Sequence, residues 1–566
     1  MNKFGFSCLL GEIQGYDFSM ADRFDAVVRH PKALCYKHMV SQFKADKIFV
    51  ETTDFILILD GIILNKKDLQ RHSQNWEETI LQLYHERGEL FFEVLRGSFA
   101  GLLYDKQLDK YIIFSDQIGS KYIYYSQHEH LLCCSSMICH IYHFLQKNHL
   151  AYGLSIESAY LLLSYGYMLE NHTLCDKIKK LTPGCYMVFQ HGCLEEKRYC
   201  LLDNEPDYSL KEADAIDLVN QEFRKAIAMQ FDKDVEYGYK HWVALSAGLD
   251  SRMTTWVAHD MGYVRQVNFT FSQSDYWDEI VPKQIARELR HEWIFKMLDH
   301  GWWLQDIEEI TKLTGGNVLY YGLAHGNSLF KYIRFDELGM VHSGQLGDVV
   351  LGSFFLKNED KLKFQWGDGA YSTTYLEHVR SLTLSEYKNQ EIANFYHRGF
   401  DGANNGLLTT MQYTETFSPF MNWELMNQVL KIPLKYRYGH ELYKKWILTQ
   451  YPGAANYVWE KMGATIKSPV FKIKDHYFSM NQLLQKIIEK IFHGEKGYMS
   501  VKHMNPIGYY WHTNNELQQY FHEIWEVKEQ IQDPELRGIL QQIQAKGSVL
   551  EKIQAISLLK AIELFF

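Results

Sequence analysis

One short segment of the sequence limits the fold more than any other. An apolar strand at residues 242–245 leads through a loop of small residues into a helix from about Ser251 to His259, and a second apolar strand follows at residues 264–271. Strand, helix and strand within roughly 30 residues predict a βαβ unit. Because βαβ units build parallel sheets, we expect an α/β domain around this segment.

The loop inside this unit, residues 246–251, reads Ser-Ala-Gly-Leu-Asp-Ser. Small residues between a strand and a helix let backbone N–H groups and the helix N-terminus converge on an anion, ideally a phosphate. Asp250 at the mouth of such a site would repel a phosphate unless a cation bridges the two, and Mg²⁺ takes hard oxygen ligands of this kind. The alternative interpretation is a plain tight turn in which Asp250 caps the helix.

The composition and the predicted secondary structure of the chain change near residue 200. Before that point it reads as α+β, because a helix is predicted at residues 77–86 among short strands rich in Ile, Phe and Tyr. We predict these strands at residues 55–59, with a turn at Asp60-Gly61, and at 98–104, 111–115 and 122–125. All nine cysteines also lie within the first 200 residues, and this compositional break indicates a domain boundary.

A second domain follows the polar stretch 203–209 and begins with a helix at residues 215–231, where apolar residues recur at helical spacing. We therefore predict an α+β sandwich domain over residues 1–202, an α/β domain over 210–470 and a helical extension over 471–566. We expect the apolar stripes of the extension to serve the core or an oligomer surface, such as that of a homodimer, rather than catalysis. We expect its Tyr509-Tyr510-Trp511 run to pack against the second domain, with the lining of a substrate entrance as the alternative. The stripes are Met480, Leu483, Leu484, Ile487, Ile488 and Ile491, then Leu536, Ile539, Leu540 and Ile543, and the last helix is predicted to begin at Ser548 with Glu551 reaching back.

Composition excludes several classes of function. The 59 basic and 69 acidic residues give a net charge of −10, which argues against a broad nucleic-acid surface. The N-terminal sequence lacks the apolar core of a signal peptide, and no stretch reaches the roughly 20 apolar residues of a membrane span, so we expect a cytoplasmic protein without a membrane partner. The cysteines form no CxxC pairs, which favours neither a disulfide framework nor a zinc site.

Several motifs occur in the order and spacing of one family. In the second half they are the 246–251 loop, Thr270-Phe271-Ser272 with Asp278-Glu279, residues 342–348, Pro419-Phe420-Met421-Asn422 and Lys461-Met462-Gly463. In the first half they are residues 95–105, residues 116–125, Leu181-Thr182-Pro183-Gly184 and Arg198-Tyr199. Together they resemble the asparagine synthetase family of glutamine amidotransferases, which includes β-lactam synthetases and lasso-peptide cyclases.

The resemblance implies a fold and a set of site residues. The fold would be a glutaminase-like sandwich of the Ntn hydrolase type, followed by an ATP-pyrophosphatase domain of the adenine nucleotide α-hydrolase type. ATP and Mg²⁺ would be bound, with Asp250 and Asp348 holding the metal. The residues implied for ATP are Ser246, Ala247, Gly248, Leu249, Asp250, Ser251, Thr270, Ser272 and Gly344, and those implied for catalysis are Lys461, Glu415 and Gln345.

The first half departs from the family in three places. The family's nucleophile is a cysteine at position 2 that uses its own α-amine as base, whereas this sequence has Asn2. The glutamine-binding Asn-Gly-Glu is Asp60-Gly61-Ile62 here, and an Arg-Asp pair is Ser115-Asp116. We therefore expect a degenerate glutaminase domain that keeps its fold, with Cys8 as a buried structural residue rather than a substitute nucleophile.

The second half departs less. Gln345 replaces the family's Glu, and a neutral amide positions a substrate but does not act as a general base. Glu415 is our candidate base, with an ordinary ion-paired Glu as the alternative. Lys461 would neutralise charge at the α-phosphate, with an exposed helix lysine as the alternative. Arg252 and Phe417 replace a small residue and an Arg of the family, which favours a different acceptor substrate.

The implied reaction is activation of a carboxylate on a small molecule or peptide as an acyl-adenylate, followed by capture by nitrogen to give an amide and AMP. The sequence leaves the amine donor open: free ammonia, the product of a partner glutaminase, or an amine of the same substrate, as in the cyclases. Two other functions stay open. One is a nucleotide-binding pseudoenzyme or assembly partner, and the other is sulfur transfer or tRNA modification on the same loop.

Overall fold

The computed structural model describes residues 4–19, 24–70, 75–473, 476–479 and 501–566. Asn2 and the 480–491 stripe therefore lie outside the described residues. No helix within these ranges combines the length and the apolar character that crossing a bilayer requires.

The first 200 residues form two six-stranded sheets in which every described pairing is antiparallel. The first sheet has the order β10-β8-β9-β1-β3-β2 and the second the order β12-β11-β7-β6-β5-β4. The strands are β1 (Phe6–Gly11), β2 (Ala26–His30), β3 (Ala33–Lys37), β4 (Ile48–Glu51), β5 (Phe55–Ile63), β6 (Gly97–Asp105), β7 (Lys110–Ser115), β8 (Tyr124–His128), β9 (Leu131–Ser135), β10 (Lys179–Lys180), β11 (Cys185–Gln190) and β12 (Cys193–Arg198).

The two sheets pack face to face because alternate side chains of each strand point to opposite faces. In β1, Cys8 and Leu10 enter the core between the sheets, whereas Leu9 joins the cluster under the helices on the outer face. Cys8 is completely buried, as predicted, and burial raises the pKa of its thiol. Helices cover both outer faces, and those of this region are α1 (Lys66–Leu69), α2 (Trp76–Arg87), α3 (Ile138–Lys147) and α4 (Ile156–Tyr165).

Two strand predictions were wrong at their ends. The predicted turn at Asp60-Gly61 is part of β5, which runs on to Ile63 beside β6. Gly61, at φ 123°, lets the strand pass close to its neighbour, because a Cβ there would lie 2.1 Å from the carbonyl oxygen of Ser98. The strand predicted over residues 122–125 begins only at Tyr124.

The second region contains a five-stranded parallel sheet of order β15-β14-β13-β16-β17. The predicted βαβ unit is confirmed: β13, a helix and β14 follow one another, and β13 pairs with β14 in parallel. The strands are β13 (Lys240–Ala244), β14 (Gln266–Ser272), β15 (Glu292–Met297), β16 (Leu338–His342) and β17 (Thr416–Phe417). The helices around them are α5 (Glu212–Tyr237), α6 (Leu249–Asp260), α7 (Trp277–Leu289), α8 (Ile307–Thr314) and α9 (Tyr321–Phe330).

A buried carboxylate fixes the long helix α5 to this sheet. Asp234 accepts a hydrogen bond from the backbone N–H of Met340 at 3.0 Å, and its other oxygen contacts ring nitrogens of His241 (2.9 Å) and His342 (2.7 Å). His241 belongs to β13 and His342 ends β16. The contact therefore holds the strand that leads into the site against α5.

The remaining chain is mostly helical. The extension is helical from Ile507 onward, as predicted, but Val470–Ile473 and His476–Ser479 at its start form two antiparallel strands instead. The remaining chain contains α10 (Gly347–Val350), α11 (Gln390–Asn394), α12 (Trp423–Val429), α13 (Leu434–Arg437), α14 (Glu441–Gln450), α15 (Ile507–Thr513), α16 (Asn515–Trp525), α17 (Pro534–Lys546) and α18 (Val549–Phe565), with short strands β18 (Val458–Trp459), β19 (Ala464–Thr465), β20 (Val470–Ile473) and β21 (His476–Ser479). The described part of the extension packs against the first region of the chain, because Phe565 stacks on Tyr142 of α3 with ring centres 4.3 Å apart. Ser548 and Glu551 form the predicted capping box.

Candidate functional site

The loop between β13 and α6 is tied to the start of the helix by two serines. Ser251 Oγ accepts a hydrogen bond from the Ser246 backbone N–H at 2.9 Å and lies 2.8 Å from Ser246 Oγ. Gly248 precedes the first helical residue, Leu249, and has extended backbone geometry. The first N–H groups of α6 have no partner within the helix, so they form an anion-binding helix terminus.

A cavity of about 610 Å³ opens in front of this helix, at the carboxyl ends of the parallel strands. This edge is where open α/β sheets bind their ligands. The structure brings most of the predicted site residues to its wall: Ser246, Gly248, Asp250, Ser251, Thr270, Gly344, Gln345 and Asp348. The other predicted residues, Ala247, Leu249, Ser272, Glu415 and Lys461, do not line the cavity.

Asp250 and Asp348 form the acidic centre of the cavity. Asp250 accepts hydrogen bonds from the Tyr443 hydroxyl (3.0 Å) and from the backbone N–H of Asp348 (3.0 Å). Burial, followed by the charge of Asp348, raises the pKa of Asp250 well above its ordinary value. No described lysine or arginine forms an ion pair with either carboxylate. Within the described part of the chain, the negative charge of this pair has no ion-paired cation.

Two further carboxyl groups, those of Asp278 and Glu460, lie next to the 246–251 loop. Asp278, at the start of α7, accepts a hydrogen bond from the Ala247 N–H at 2.7 Å, and burial raises its pKa. Glu460 is largely buried, and its Oε2 has no hydrogen-bond partner among the described residues. Burial, followed by the charge of Asp278, raises the pKa of Glu460. The acidic character of the site therefore extends beyond the predicted pair.

Lys461 is exposed and lies with its Nζ 5.8 Å from the ring centre of Trp459. The ring of Trp459 in turn lies 5.7 Å from the ring of His440, centre to centre. Burial, followed by the charge of Lys461, lowers the pKa of His440 to about 4. The lysine thus lies beside the cavity rather than in its wall.

Glu415 lies elsewhere, in a buried ion-pair cluster between the two regions of the chain. Its carboxylate oxygens lie 2.7 Å from Lys47 Nζ and 2.9 Å from Lys121 Nζ, and Lys121 also donates to Asp60 at 2.8 Å. Burial raises the pKa of Glu415, but the charges of Lys121 and Lys47 outweigh it and leave the pKa below its ordinary value. This placement matches the ion-paired alternative for Glu415, and Asp60 is occupied by the same cluster.

Two substitutions that suggested a different acceptor do not face the cavity. Arg252 is completely buried and donates to backbone carbonyls, including that of Ala247 at 2.8 Å and that of Tyr457 at 3.2 Å. Burial lowers its pKa to about 10. Phe417 is buried in β17. Arg252 therefore supports the loop from behind, because its planar guanidinium can serve several carbonyls at once.

The far side of the cavity is aromatic. Phe269 and Phe271 of β14 line it, and His325 of α9 stacks on Phe271 with ring centres 4.7 Å apart. Burial lowers the pKa of His325 to about 4, so its ring is neutral at pH 7, and its Nδ1 has no partner among the described residues. A flat apolar wall with one polar ring suits a heteroaromatic base.

Sequence reasoning missed Tyr443, Glu460, His325 and Met504. Met504 brings the C-terminal extension to the cavity wall, and its carbonyl accepts from the Gln273 N–H at 2.7 Å. Glu460 could have been found, because it directly precedes the Lys461-Met462-Gly463 motif. No local signal marks the others, since His325 and Met504 reach the cavity wall, and Tyr443 reaches Asp250, from segments distant in the sequence.

Comparison with known proteins now decides the family. A glutamine amidotransferase domain matches residues 44–200, and an asparagine synthase domain matches residues 218–414. The chain belongs to the asparagine synthetase family. The first match falls on the double sheet and the second on the parallel sheet with its cavity, so the family's domain order agrees with the two regions of the fold.

Members with curated descriptions are distant. Amidase chry2 of Gibberella zeae is 27% identical over 179 residues, which is 31% of this chain and 25% of that protein. The glutamine-hydrolysing asparagine synthetase B of Escherichia coli K12 is 26% identical over 219 residues, 37% of this chain and 33% of that protein. The matches thus span a quarter to a third of these relatives. A solved glutamine phosphoribosylpyrophosphate amidotransferase from B. subtilis covers 75% of this chain and 86% of its own at 9% identity, with a TM-score of 0.22, which carries no argument.

Proposed function

We propose that this protein is an ATP-dependent, AMP-forming amide ligase that activates a substrate carboxylate as an acyl-adenylate. The observation that carries the proposal is the meeting of the α6 N-terminus with the uncompensated carboxylates of Asp250 and Asp348 in one cavity. A helix terminus attracts phosphate, whereas two carboxylates repel it. The pair makes chemical sense only with a cation between them and the phosphates.

The residues present fit Mg²⁺ and a nucleotide. Hard carboxylate oxygens are the ligands that Mg²⁺ takes. The pKa of Asp250 is raised by burial and then by the charge of Asp348, and a bound cation would offset both effects. The cavity volume of about 610 Å³ is within the usual range for ligand pockets. Gly347 keeps the site open, because a Cβ there would lie 2.7 Å from the Asp250 carboxylate. We therefore assign the metal to Asp250 and Asp348.

The chain's own residues divide the remaining work. The 246–251 loop and the first turn of α6 hold the phosphates, and the wall formed by Phe271 and His325 receives adenine. Gln345, whose Nε2 donates to the Ala403 carbonyl at 3.1 Å, orients the substrate. Lys461 neutralises charge near the α-phosphate from beside the cavity. When bound, Mg²⁺ neutralises the phosphate charge that develops as pyrophosphate leaves.

The atoms balance in two steps. A carboxylate oxygen forms a bond to the α-phosphorus, the bond from that phosphorus to pyrophosphate breaks, and pyrophosphate leaves with the electron pair. An amine nitrogen then bonds to the acyl carbon, AMP leaves, and the proton lost by the amine passes to solvent. We do not assign a base to Glu415, because two lysines already hold its carboxylate. Positioning and charge neutralisation supply most of the acceleration.

We further propose that residues 1–202 do not hydrolyse glutamine. The ammonium-binding Glu of the family's motif is Ile62 here, and Asp60 beside it is held by Lys121. The nitrogen then comes from ammonia, from a partner glutaminase or from the substrate itself. The proposed domains are residues 1–202, 210–470 and 471–566, and Met504 of the extension contributes to the wall of the cavity.

The test is a product analysis with purified protein, Mg-ATP, ammonia and pooled carboxylate metabolites. The proposal expects AMP and pyrophosphate, with no glutamate released when glutamine replaces ammonia. Release of ADP and phosphate would contradict adenylation, and release of glutamate would contradict a degenerate glutaminase. ATP binding without any product under all conditions would favour the pseudoenzyme alternative.

A further inference from the structure

A second chamber of about 370 Å³ adjoins the nucleotide cavity. Both are lined by Gln345, Arg398 and Ala403, so these residues stand where the two spaces meet. The second chamber extends away from the phosphate loop toward Tyr167 and Tyr371. A molecule in this chamber can present one end to the phosphate loop while its body lies elsewhere.

Arg398 gives the second chamber its charge. Among the described residues that line the chamber, it alone carries a charged side chain. No hydrogen bond or ion pair joins its guanidinium to another described residue, and its contact is with the ring of Phe354, 5.2 Å from the ring centre. A half-buried arginine without an anionic partner at a cavity wall is arranged to receive an anion.

The surrounding chain holds Arg398 in position. It lies in a π-helical segment, Phe395–Gly402, a wide turn that is frequent at functional sites. Gly369, at φ 81°, passes directly against it, because a Cβ there would lie 2.3 Å from Arg398 Cδ. The stem of the side chain is thus confined, which reduces the entropy lost when the guanidinium binds a ligand.

The other described residues that line the chamber are uncharged. Tyr167, Tyr321 and Tyr371 line it together with several glycines. Gly402 lets the backbone approach the Tyr167 ring, because a Cβ there would lie 2.9 Å from Tyr167 Cζ. No described acidic side chain lines the chamber to receive an ammonium group. The walls therefore suit an apolar or aromatic body.

We infer that the second chamber binds the carboxylic acid that is activated, that Arg398 is the partner of its carboxylate, and that the acid has an uncharged aromatic or aliphatic body rather than the free ammonium of an amino acid such as aspartate. This inference rests on the proposed ligase function. It places the reacting carboxylate at the junction of the two spaces, facing the phosphate loop across Gln345.

The test measures binding and turnover separately. Calorimetry gives the Kd of benzoate, hexanoate and aspartate for the full chain with Mg²⁺ and a non-hydrolysable ATP analogue, and AMP release gives KM for the same acids. The variants are Arg398→Met and Arg398→Lys, with Arg334→Met as a control because Arg334 is 91% exposed at its side chain. Tyr371→Ala, at a position 54% exposed, is a second chamber variant with little risk to folding.

We expect benzoate or hexanoate to bind and aspartate to fail. Arg398→Met should weaken acid binding roughly 10- to 100-fold, as loss of a charged hydrogen-bond pair does, and leave the Kd of the nucleotide within about twofold. Arg398→Lys should be intermediate, Tyr371→Ala should weaken acid binding only, and Arg334→Met should change nothing.

Three results would overturn the inference: preferred binding of aspartate, failure of every uncharged-body acid to bind, or an equal loss of nucleotide affinity in Arg398→Met, which would place the guanidinium on the phosphates. The proposed function fails differently. Acid binding that depends on Arg398 without any AMP would retain the chamber and reject the ligase.

Discussion

Two buried polar clusters in this protein differ in charge balance: one pairs lysines with carboxylates, and the other contains carboxylates without ion-paired lysines among the described residues. In the interdomain cluster, Lys47 and Lys121 balance Asp60 and Glu415, and all four side chains are almost completely buried. In the acidic cavity, Asp250 and Asp348 lie together without an ion pair to a lysine or arginine among the described residues. The pKa of Glu415 is lowered by its lysines, whereas the pKa of Asp250 is raised by burial and by Asp348.

The difference indicates which cluster needs a ligand. A buried cluster with equal numbers of both charges is complete without one, and it serves to hold two parts of the chain in register. A cluster of one sign in a cavity is incomplete, and strongly shifted carboxyl groups of this kind mark functional sites. We therefore interpret the cluster of Lys47, Lys121, Asp60 and Glu415 as scaffold, and the acidic cavity as the candidate site.

The largest effect should follow from breaking the balanced cluster. Lys121→Met leaves two buried carboxylates with one lysine, and we expect the free energy of unfolding to fall by about 3–5 kcal/mol. The urea midpoint measures it. The control is Lys240→Met, which breaks an exposed pair with Glu292 at 3.2 Å and should cost at most about 1 kcal/mol. Equal shifts in the two variants would contradict a scaffold role.

Removing a charge from the acidic cavity should impair activity and raise the free energy of unfolding. Asp250→Asn should lower AMP formation by roughly 100-fold or more, because transition-state charge loses its metal ligand. The same change should raise stability by about 0.5–2 kcal/mol, since strained active-site charges trade stability for function. Product analysis and urea unfolding check both, with exposed Asp214→Asn as the control. A destabilised Asp250→Asn would count against the comparison.

Alanine substitutions at two glycines should affect different properties, because Gly61 lies beside the balanced cluster and Gly347 lies beside Asp250. Gly61→Ala should lower the free energy of unfolding by about 1–3 kcal/mol. The backbone at this position has a positive φ, and the new Cβ would lie 2.1 Å from the Ser98 carbonyl oxygen. Gly347→Ala should instead weaken Mg-ATP binding, because its Cβ would lie 2.7 Å from the Asp250 carboxylate. Unfolding curves and calorimetry separate the two. Gly88→Ala, at φ 62° with open space around it, isolates the backbone cost.

The smallest effect concerns pH. Asp250 has a raised pKa, so its carboxylate protonates at a higher pH than the ordinary value near ~3.9, and Mg²⁺ affinity should fall about tenfold per pH unit below that raised pKa. Glu415 has a lowered pKa, so its ion pairs are fully present above the unfolded value near ~4.3 and are lost as pH falls through the lowered one. Calorimetry and circular dichroism across pH 4–7 should therefore show nucleotide binding lost before the fold, and a common midpoint would refute this.

The sequence predicted the fold well where local pattern decides it. Apolar runs and the 246–251 loop located the βαβ unit, because strand and helix periods are local properties. The end of β5 was mispredicted, since Asp60-Gly61 reads as a turn until the partner strand and Lys121 are known. The helical stripe around Ile487 lies outside the described residues, so that prediction is untested.

The site was predictable only where its residues lie in short motifs that follow the ends of strands. Asp250 and Asp348 follow strand ends, and strand ends of a parallel sheet converge at one edge. Glu415 and Arg252 could not be placed, because their partners, Lys121 and the carbonyls near Tyr457, are distant in the chain. The same holds for Arg398, whose position depends on the approach of Gly369.

We propose the acidic cavity as a working adenylation site, and pyrophosphate exchange is the assay that decides this claim. The assay follows labelled pyrophosphate into ATP in the presence of Mg²⁺ and a carboxylic acid, so it needs no amine donor. We predict acid-dependent exchange by the wild-type protein and by Lys121→Met at a temperature where that variant is folded, and loss of exchange in Asp250→Asn. Exchange that persists in Asp250→Asn, or that is absent from wild-type protein with Mg-ATP and an acid both bound, would contradict the claim.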